Sequence, residues 1–99
     1  MDPKKSTAPD PRHMIRSIVG CKWSLHVLGE VRRDNRRPGR IRASIEGLST
    51  KVMNERLRKL QRYGLIGRKV FPEVPPRVEY RLTPRGRSFC KILDQIEKL

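Results

Sequence analysis

Residues 41–64, IRASIEGLSTKVMNERLRKLQRYG, contain the signals for two helices joined by a tight turn. A short apolar segment ends at Gly47, a residue type that interrupts helices. Ser49 follows as an N-cap, because its side-chain oxygen can accept hydrogen bonds from the free amides of a first helical turn. Apolar residues then recur at helical spacing until Gly64 supplies a left-handed C-terminal cap. A short helix, a turn over residues 46–48 and a longer basic helix predict a helix-turn-helix.

The segment that follows predicts a β-hairpin. Residues 65–74 are rich in apolar and β-branched types, and residues 77–82 alternate between apolar and charged side chains, as a half-buried strand does. Pro75 and Pro76 between them form a stiff tip, because neither has an amide hydrogen and each fixes its φ angle. A hairpin directly after a helix-turn-helix occupies the place of a wing.

Further helices are predicted on both sides of this unit. One covers residues 13–19 and a second, largely buried, covers residues 23–32. A last helix begins after Thr83, which forms an N-cap pair with the proline behind it. We expect residues 1–12 to form a disordered basic tail. Residues 13–99 are expected to form one mainly helical α+β domain, a winged helix-turn-helix with a two-stranded wing.

The charge balance limits the classes of partner. The 99 residues include 24 Lys and Arg but only 10 Asp and Glu, which gives a formal charge of +14. Such a surface attracts polyanions, namely duplex DNA, RNA or an anionic membrane face. No apolar run approaches the roughly 18 residues that a membrane span needs, and the N-terminus does not resemble a signal peptide. We therefore expect a cytoplasmic protein that binds no membrane.

The helix after Ser49 has an outward face of residue types that read DNA. In a helix-turn-helix, the early turns of the second helix enter the major groove. Asn54 can pair with an adenine edge, and Lys51 or Arg58 with guanine or phosphate. At 100° per residue, with the apolar positions turned inward, the outward residues are Thr50, Lys51, Asn54, Glu55 and Arg58.

Other residues of this region are expected to hold the DNA backbone. The amides near Ser49 and Thr50, at the positive end of the helix, suit a phosphate. Glu55 either accepts from a cytosine amino group or pairs with Lys51 or Lys59, four residues away. The phosphate-contact candidates are Arg40, Arg68, Lys69 and Arg77, the last as the wing residue directly after Pro76. The alternative for the whole set is an ordinary solvated face.

No metal, cofactor or enzymatic chemistry is predicted. Four residues could formally make a zinc set, but their spacings fit no zinc module: His13, Cys21, His26 and Cys90. No nucleophile has an obvious base, and no glycine-rich phosphate loop is present. Cys21 either has a thiol pKa lowered by Lys22 and Arg16 or packs as a small residue against Trp23. For Cys90 a packing role is expected.

Four segments resemble the HxlR-type regulators of bacteria and archaea, a winged-helix group distantly similar to the MarR regulators. Gly20–Trp23 (GCKW) resembles the family's G-G-K-W box, and Gly47–Lys51 (GLSTK) its G-I-S-x-K turn. Leu57–Arg68 (LRKLQRYGLIGR) resembles L-R-x-L-x-x-x-G-L-I-x-R. Phe71–Gly86 (FPEVPPRVEYRLTPRG) closely resembles Y-P-x-V-P-P-[RK]-V-E-Y-x-L-T-x-x-G. The resemblance extends over Met14–Leu99.

The resemblance implies transcriptional control by a homodimer, with N- and C-terminal dimerisation helices and two recognition helices on a pseudo-palindrome. Half-sites would then lie about 34 Å apart. Family members that sense oxidants use a cysteine ahead of the first helix; residues 8–13 contain none, so redox sensing is not implied. The alternative function is a non-specific architectural DNA-binding protein, and any small-molecule effector stays unidentified. The apolar residues expected at the dimer interface are Ile15, Ile18, Ile92, Ile96 and Leu99.

Overall fold

The computed structural model describes residues 10–99, which form five helices and one two-stranded sheet. This architecture confirms the predicted winged helix-turn-helix. In chain order the elements are α1 Pro11–Val19, α2 Lys22–Arg32, α3 Pro38–Ser44, α4 Thr50–Arg62, β1 Ile66–Phe71, β2 Arg77–Leu82 and α5 Pro84–Glu97.

The predicted tail of residues 1–12 lies mostly outside the described residues. Its last two residues, Pro11 and Arg12, belong to the first helix, which starts two residues before the predicted start. α1 begins at Pro11, because Asp10 is its N-cap and accepts a hydrogen bond from the Arg12 amide at 3.0 Å. Proline at the first helical position supports the same start. α3 also begins earlier than the apolar pattern indicated, at Pro38, for the same reason. β1 ends at Phe71, before the tip of the hairpin.

The core is assembled from every helix and from the start of the hairpin. α4 contributes its predicted inward face, with Met53, Leu57 and Leu60 all buried. This packing confirms which side of α4 faces outward. The most deeply buried apolar side chains come from α1 to α4 and the segment behind α4: Ile18, Val27, Leu28, Ile41, Leu57, Leu60 and Leu65.

The hairpin is antiparallel and is fixed to the helices. Ile66 pairs with Leu82 at its base, and Phe71 pairs with Arg77 at its tip. On the outer edge of β2, the Tyr80 amide donates to the Arg36 carbonyl at 2.8 Å, so the loop between α2 and α3 holds the wing. Within residues 10–99, no helix is long and apolar enough to cross a membrane.

Candidate nucleic-acid interface

The turn into α4 is built by Gly47 and Ser49. Gly47 has φ +83°, a left-handed conformation that glycine adopts without strain, and Trp23 packs behind it. The Ser49 hydroxyl accepts a hydrogen bond from the Val52 amide at 3.1 Å, which confirms the predicted N-cap. Because both ends of the turn are fixed locally, the first turn of α4 projects from a defined position.

The predicted reading face of α4 is exposed and chemically available. Thr50, Lys51, Asn54 and Arg58 are all exposed. In the part of the chain that the structure describes, the side chains of Lys51, Asn54 and Arg58 have no hydrogen-bond or ion-pair partner. A cation and an amide held on a rigid helix without internal partners are suited to contact an external acceptor.

Glu55 differs from its neighbours. It is half-buried, and its Oε1 lies 3.7 Å from Nη1 of Arg56. The predicted alternative partners, Lys51 and Lys59, do not pair with it. Lys59 instead donates its Nζ to the Ser17 carbonyl of α1 at 2.9 Å. Glu55 therefore partly neutralises Arg56, a cation that sequence reasoning did not single out.

Arg77, the predicted wing contact to the DNA, has partners within the hairpin. Its guanidinium carbon lies 3.9 Å from the centroid of the Phe71 ring. Its Nη2 pairs with Glu73 at 2.9 Å and its Nη1 with Glu79 at 3.0 Å. Since Phe71 and Arg77 are direct cross-strand partners, the hairpin register could have indicated this contact. Arg77 therefore braces the wing tip from within.

The remaining predicted phosphate contacts are exposed. Arg68 and Lys69 lie on the exposed part of β1, with Lys69 Nζ 4.9 Å from the Phe71 ring centroid. Arg40 is exposed on α3. A groove of about 490 Å³ lies between the start of α3 and the wing tip. Arg37 and Arg40 line it on one side, and the hairpin lines it on the other. The predicted residues thus fall into two groups, the outward face of α4 and a basic margin formed by α3 and β1.

The predicted dimer surface needs one correction. Ile18 has 0% exposure, so it packs inside the chain and offers no surface to a partner. On α1 the outward apolar residues are Ile15 at 48% and Val19 at 41% exposure, four residues apart. Sequence reasoning missed Val19, although its spacing from Ile15 was the available signal.

The other half of that apolar surface lies on α5. Ile92 and Ile96 are exposed there as predicted, and so is Leu99, which follows the helix. Val19 of α1 and Ile96 of α5 line the same groove, together with residues of α2. Arg32 of α2 connects to α5 through an exposed bidentate pair with Asp94, at 2.8 and 2.5 Å.

The two cysteines lie in contrasting surroundings. Burial raises the pKa of Cys21, but the neighbouring Ser24 and the charges of Lys59 and Arg56 outweigh it and lower the pKa to about 7. The cations responsible are therefore on α4 and are not the predicted Lys22 and Arg16. Cys90 is buried, as expected of a packing residue, and burial raises the pKa of its thiol. Between Asp10 and Leu99, no three His, Cys, Asp or Glu side chains converge as metal ligands would.

We expect Cys21 to react with iodoacetamide far faster than Cys90. Because the thiolate is the nucleophile, the Cys21 rate should rise with pH through a midpoint of about 7. Peptide mass spectrometry after short exposures across about pH 5 to 9 would measure both rates. Equal rates for the two thiols, or a Cys21 midpoint near the usual value for a free thiol, would contradict the described surroundings.

A helix-turn-helix with an exposed polar face on its second helix, followed by an antiparallel wing, defines the class of the molecule. It is a winged helix-turn-helix protein. The HxlR-like helix-turn-helix family matches residues 18–99. The chain belongs to that family.

Similar proteins agree with this assignment. An uncharacterised HTH-type transcriptional regulator of Synechocystis is 43% identical over 89 residues, which cover 90% of this chain and 66% of that protein. A second such regulator, from Methanothermobacter thermautotrophicus, is 41% identical, with 79% and 60% covered. The chain thus spans slightly less than two thirds of these relatives. The reduced form of the regulator YodB from Bacillus subtilis superposes with TM-score 0.77 at 26% identity, covering 91% of this chain and 89% of that one.

Proposed function

We propose that this protein is a sequence-specific regulator that binds a pseudo-palindromic operator in duplex DNA as a homodimer. The observation that carries the proposal is the outward face of α4. Lys51, Asn54 and Arg58 are exposed there and have no side-chain partner among residues 10–99, while the opposite face of the helix packs into the core. A helix positioned in this way can enter the major groove with its first turns.

Each proposed contact has a chemical role. Asn54 donates to and accepts from an adenine edge, and Lys51 and Arg58 bind guanine or phosphate. The free amides at Ser49 and Thr50 hold a phosphate at the positive end of α4. The basic margin of Arg40, Arg68 and Lys69 neutralises further phosphates, which position the protein without reading sequence.

The homodimer is supported by the apolar surface that one protomer leaves uncovered. Ile92 and Ile96 on α5 and Leu99 behind it are each at least half exposed, and α1 exposes Ile15 and Val19. A chain of this size buries only about 60–65% of its unfolded surface, so covering this patch adds stability that a lone protomer lacks. Two α4 helices would then face successive major grooves about 34 Å apart.

Two substitutions separate reading from positioning. Asn54→Ala should relax the preference at one base pair per half-site, by about 1–3 kcal/mol of discrimination, because alanine cannot pair with the adenine edge. Lys69→Ala should weaken all duplexes alike. Competition among single-base variants of an operator selected from a random duplex library would measure both effects. The assignment of α4 as reader is contradicted if the two variants behave identically.

A non-specific architectural DNA-binding protein is the second candidate, and the net charge of +14 favours it. The same selection distinguishes the two functions. A regulator enriches one motif with two related half-sites, whereas an architectural protein recovers duplexes without a common motif.

A further inference from the structure

The chain at the C-terminal end of α4 is hydrogen-bonded to the start of α5. Three successive backbone carbonyls accept hydrogen bonds from α5 and its N-cap. Nε of Arg85 donates to Tyr63 at 2.9 Å, the Thr83 hydroxyl donates to Gly64 at 2.5 Å, and the Thr83 amide donates to Leu65 at 3.1 Å. Tyr63 is the C-cap of α4, and its carbonyl has no partner within that helix, so Arg85 supplies the missing donor. Gly64 and Leu65 follow the cap, and Thr83 holds the chain where it leaves α4.

Residues 63–65 and 83–86 together form a joint between α4 and α5, and additional contacts make it stiff. The Thr83 hydroxyl also accepts a hydrogen bond from the Gly86 amide at 2.9 Å. The same oxygen therefore caps α5 and binds the Gly64 carbonyl behind α4. Gly86 packs so closely against the Leu65 backbone that a Cβ at position 86 would lie 2.0 Å from the Leu65 carbonyl oxygen. Arg85 places its positive charge at the negative end of the α4 dipole and reaches Met14 of α1 at 3.6 Å.

We propose that Arg85 is a positioning residue that sets the spacing of the two operator half-sites. The inference rests on the proposed function, in which α5 carries the dimer surface and α4 reads the DNA. The joint is the direct link between those two helices, and it holds α4 at the end opposite to the reading residues.

Because α4 is long, a small rotation at the joint displaces its N-terminal reading end by a large distance. Its 13 residues extend over about 20 Å. A swing of about 10° at the joint therefore moves the reading end by about 3.5 Å, which is roughly one base-pair step. In a dimer the displacement occurs on both sides of the two-fold axis. A stiff joint consequently selects one half-site spacing, and a loose joint tolerates several.

The test compares duplexes in which the selected half-sites are separated by about 8 to 13 base pairs. Wild-type protein should show a sharp optimum. In Arg85→Met, the ratio of affinities between the best spacing and one base pair more should fall about fivefold, as expected when a hydrogen bond that resists the swing is removed. Affinity for a duplex with a single half-site should stay unchanged, which a general loss of structure would not produce.

Arg87→Met is the matched control. Arg87 is exposed on the same helix and donates to Leu82, not to α4, so its replacement removes the same charge without touching the joint. It should keep the wild-type ratio. If Arg85→Met does not fold, Arg85→Lys replaces it, because an ammonium keeps the charge but cannot reach Tyr63 and Met14 together as the guanidinium does. The same flattening, smaller in size, is expected.

The outcomes separate this inference from the proposed function. A sharp wild-type optimum that Arg85→Met, or Arg85→Lys in its place, retains would overturn the positioning role and leave the regulator intact. A wild-type protein that binds all spacings and random duplex equally would overturn both.

Discussion

Raising the salt concentration from roughly 50 to 200 mM should weaken operator binding by about 10³- to 10⁵-fold. This range follows if the dimer neutralises roughly six to ten phosphates and releases their counterions. Each protomer offers exposed cations in the proposed interface at Lys51, Arg58, Arg40, Arg68 and Lys69. Fluorescence anisotropy of a labelled duplex, titrated at several salt concentrations, gives the slope.

Single cations should change that slope according to their position. Lys69→Ala should reduce it by about 1 for each phosphate that is no longer neutralised, and a dimer has two such phosphates, one for each protomer. Lys91→Ala removes an equal charge from the exposed side of α5 and should leave the slope unchanged. A slope near zero, or an equal effect of the two variants, would contradict the proposal that the basic margin contacts DNA phosphates.

Gly86→Ala should destabilise the fold by about 3 kcal/mol, the upper range for overpacking. The new Cβ would lie 2.0 Å from the Leu65 carbonyl oxygen, and backbone cannot yield as a flexible side chain can. For a domain of this size the midpoint of thermal unfolding should fall by roughly 12 °C or more. Thermal unfolding followed by circular dichroism, at one fixed protomer concentration, would measure the change.

Gly39→Ala is the control for that substitution. Gly39 also lies in a helix, but apart from its chain neighbours and the backbone of its own helix, no atom of residues 10–99 lies within 4 Å of a Cβ built there. Since alanine favours helix more than glycine does, this variant should be neutral or more stable by up to about 1 kcal/mol. Equal stability of the two variants would contradict the close approach of α5 to the end of α4.

The elements that local signals specify were predictable from the sequence. α4 is the clearest example, because Ser49 and Gly64 mark its ends within the segment itself and Met53, Leu57 and Leu60 mark its inner face. Its outward residues follow from that geometry alone. The wing was predictable for the same reason, since proline fixes the tip and alternation identifies β2.

Features that depend on tertiary contacts were not predictable in the same way. α1 carries two apolar stripes, and only packing shows that Ile18 faces the core while Ile15 and Val19 face outward. The bracing of Arg77 depends on its partner Phe71 across the hairpin. The joint pairs Arg85 with Tyr63, 22 positions away, and no periodicity relates the two.

The most direct test of sequence-specific binding is the ratio of two affinities at physiological salt, for the selected operator and for random duplex of equal length. We predict a ratio of about 10³ or more, carried by dimeric protein with one dimer per operator. Equal affinity for the two duplexes would contradict sequence-specific binding.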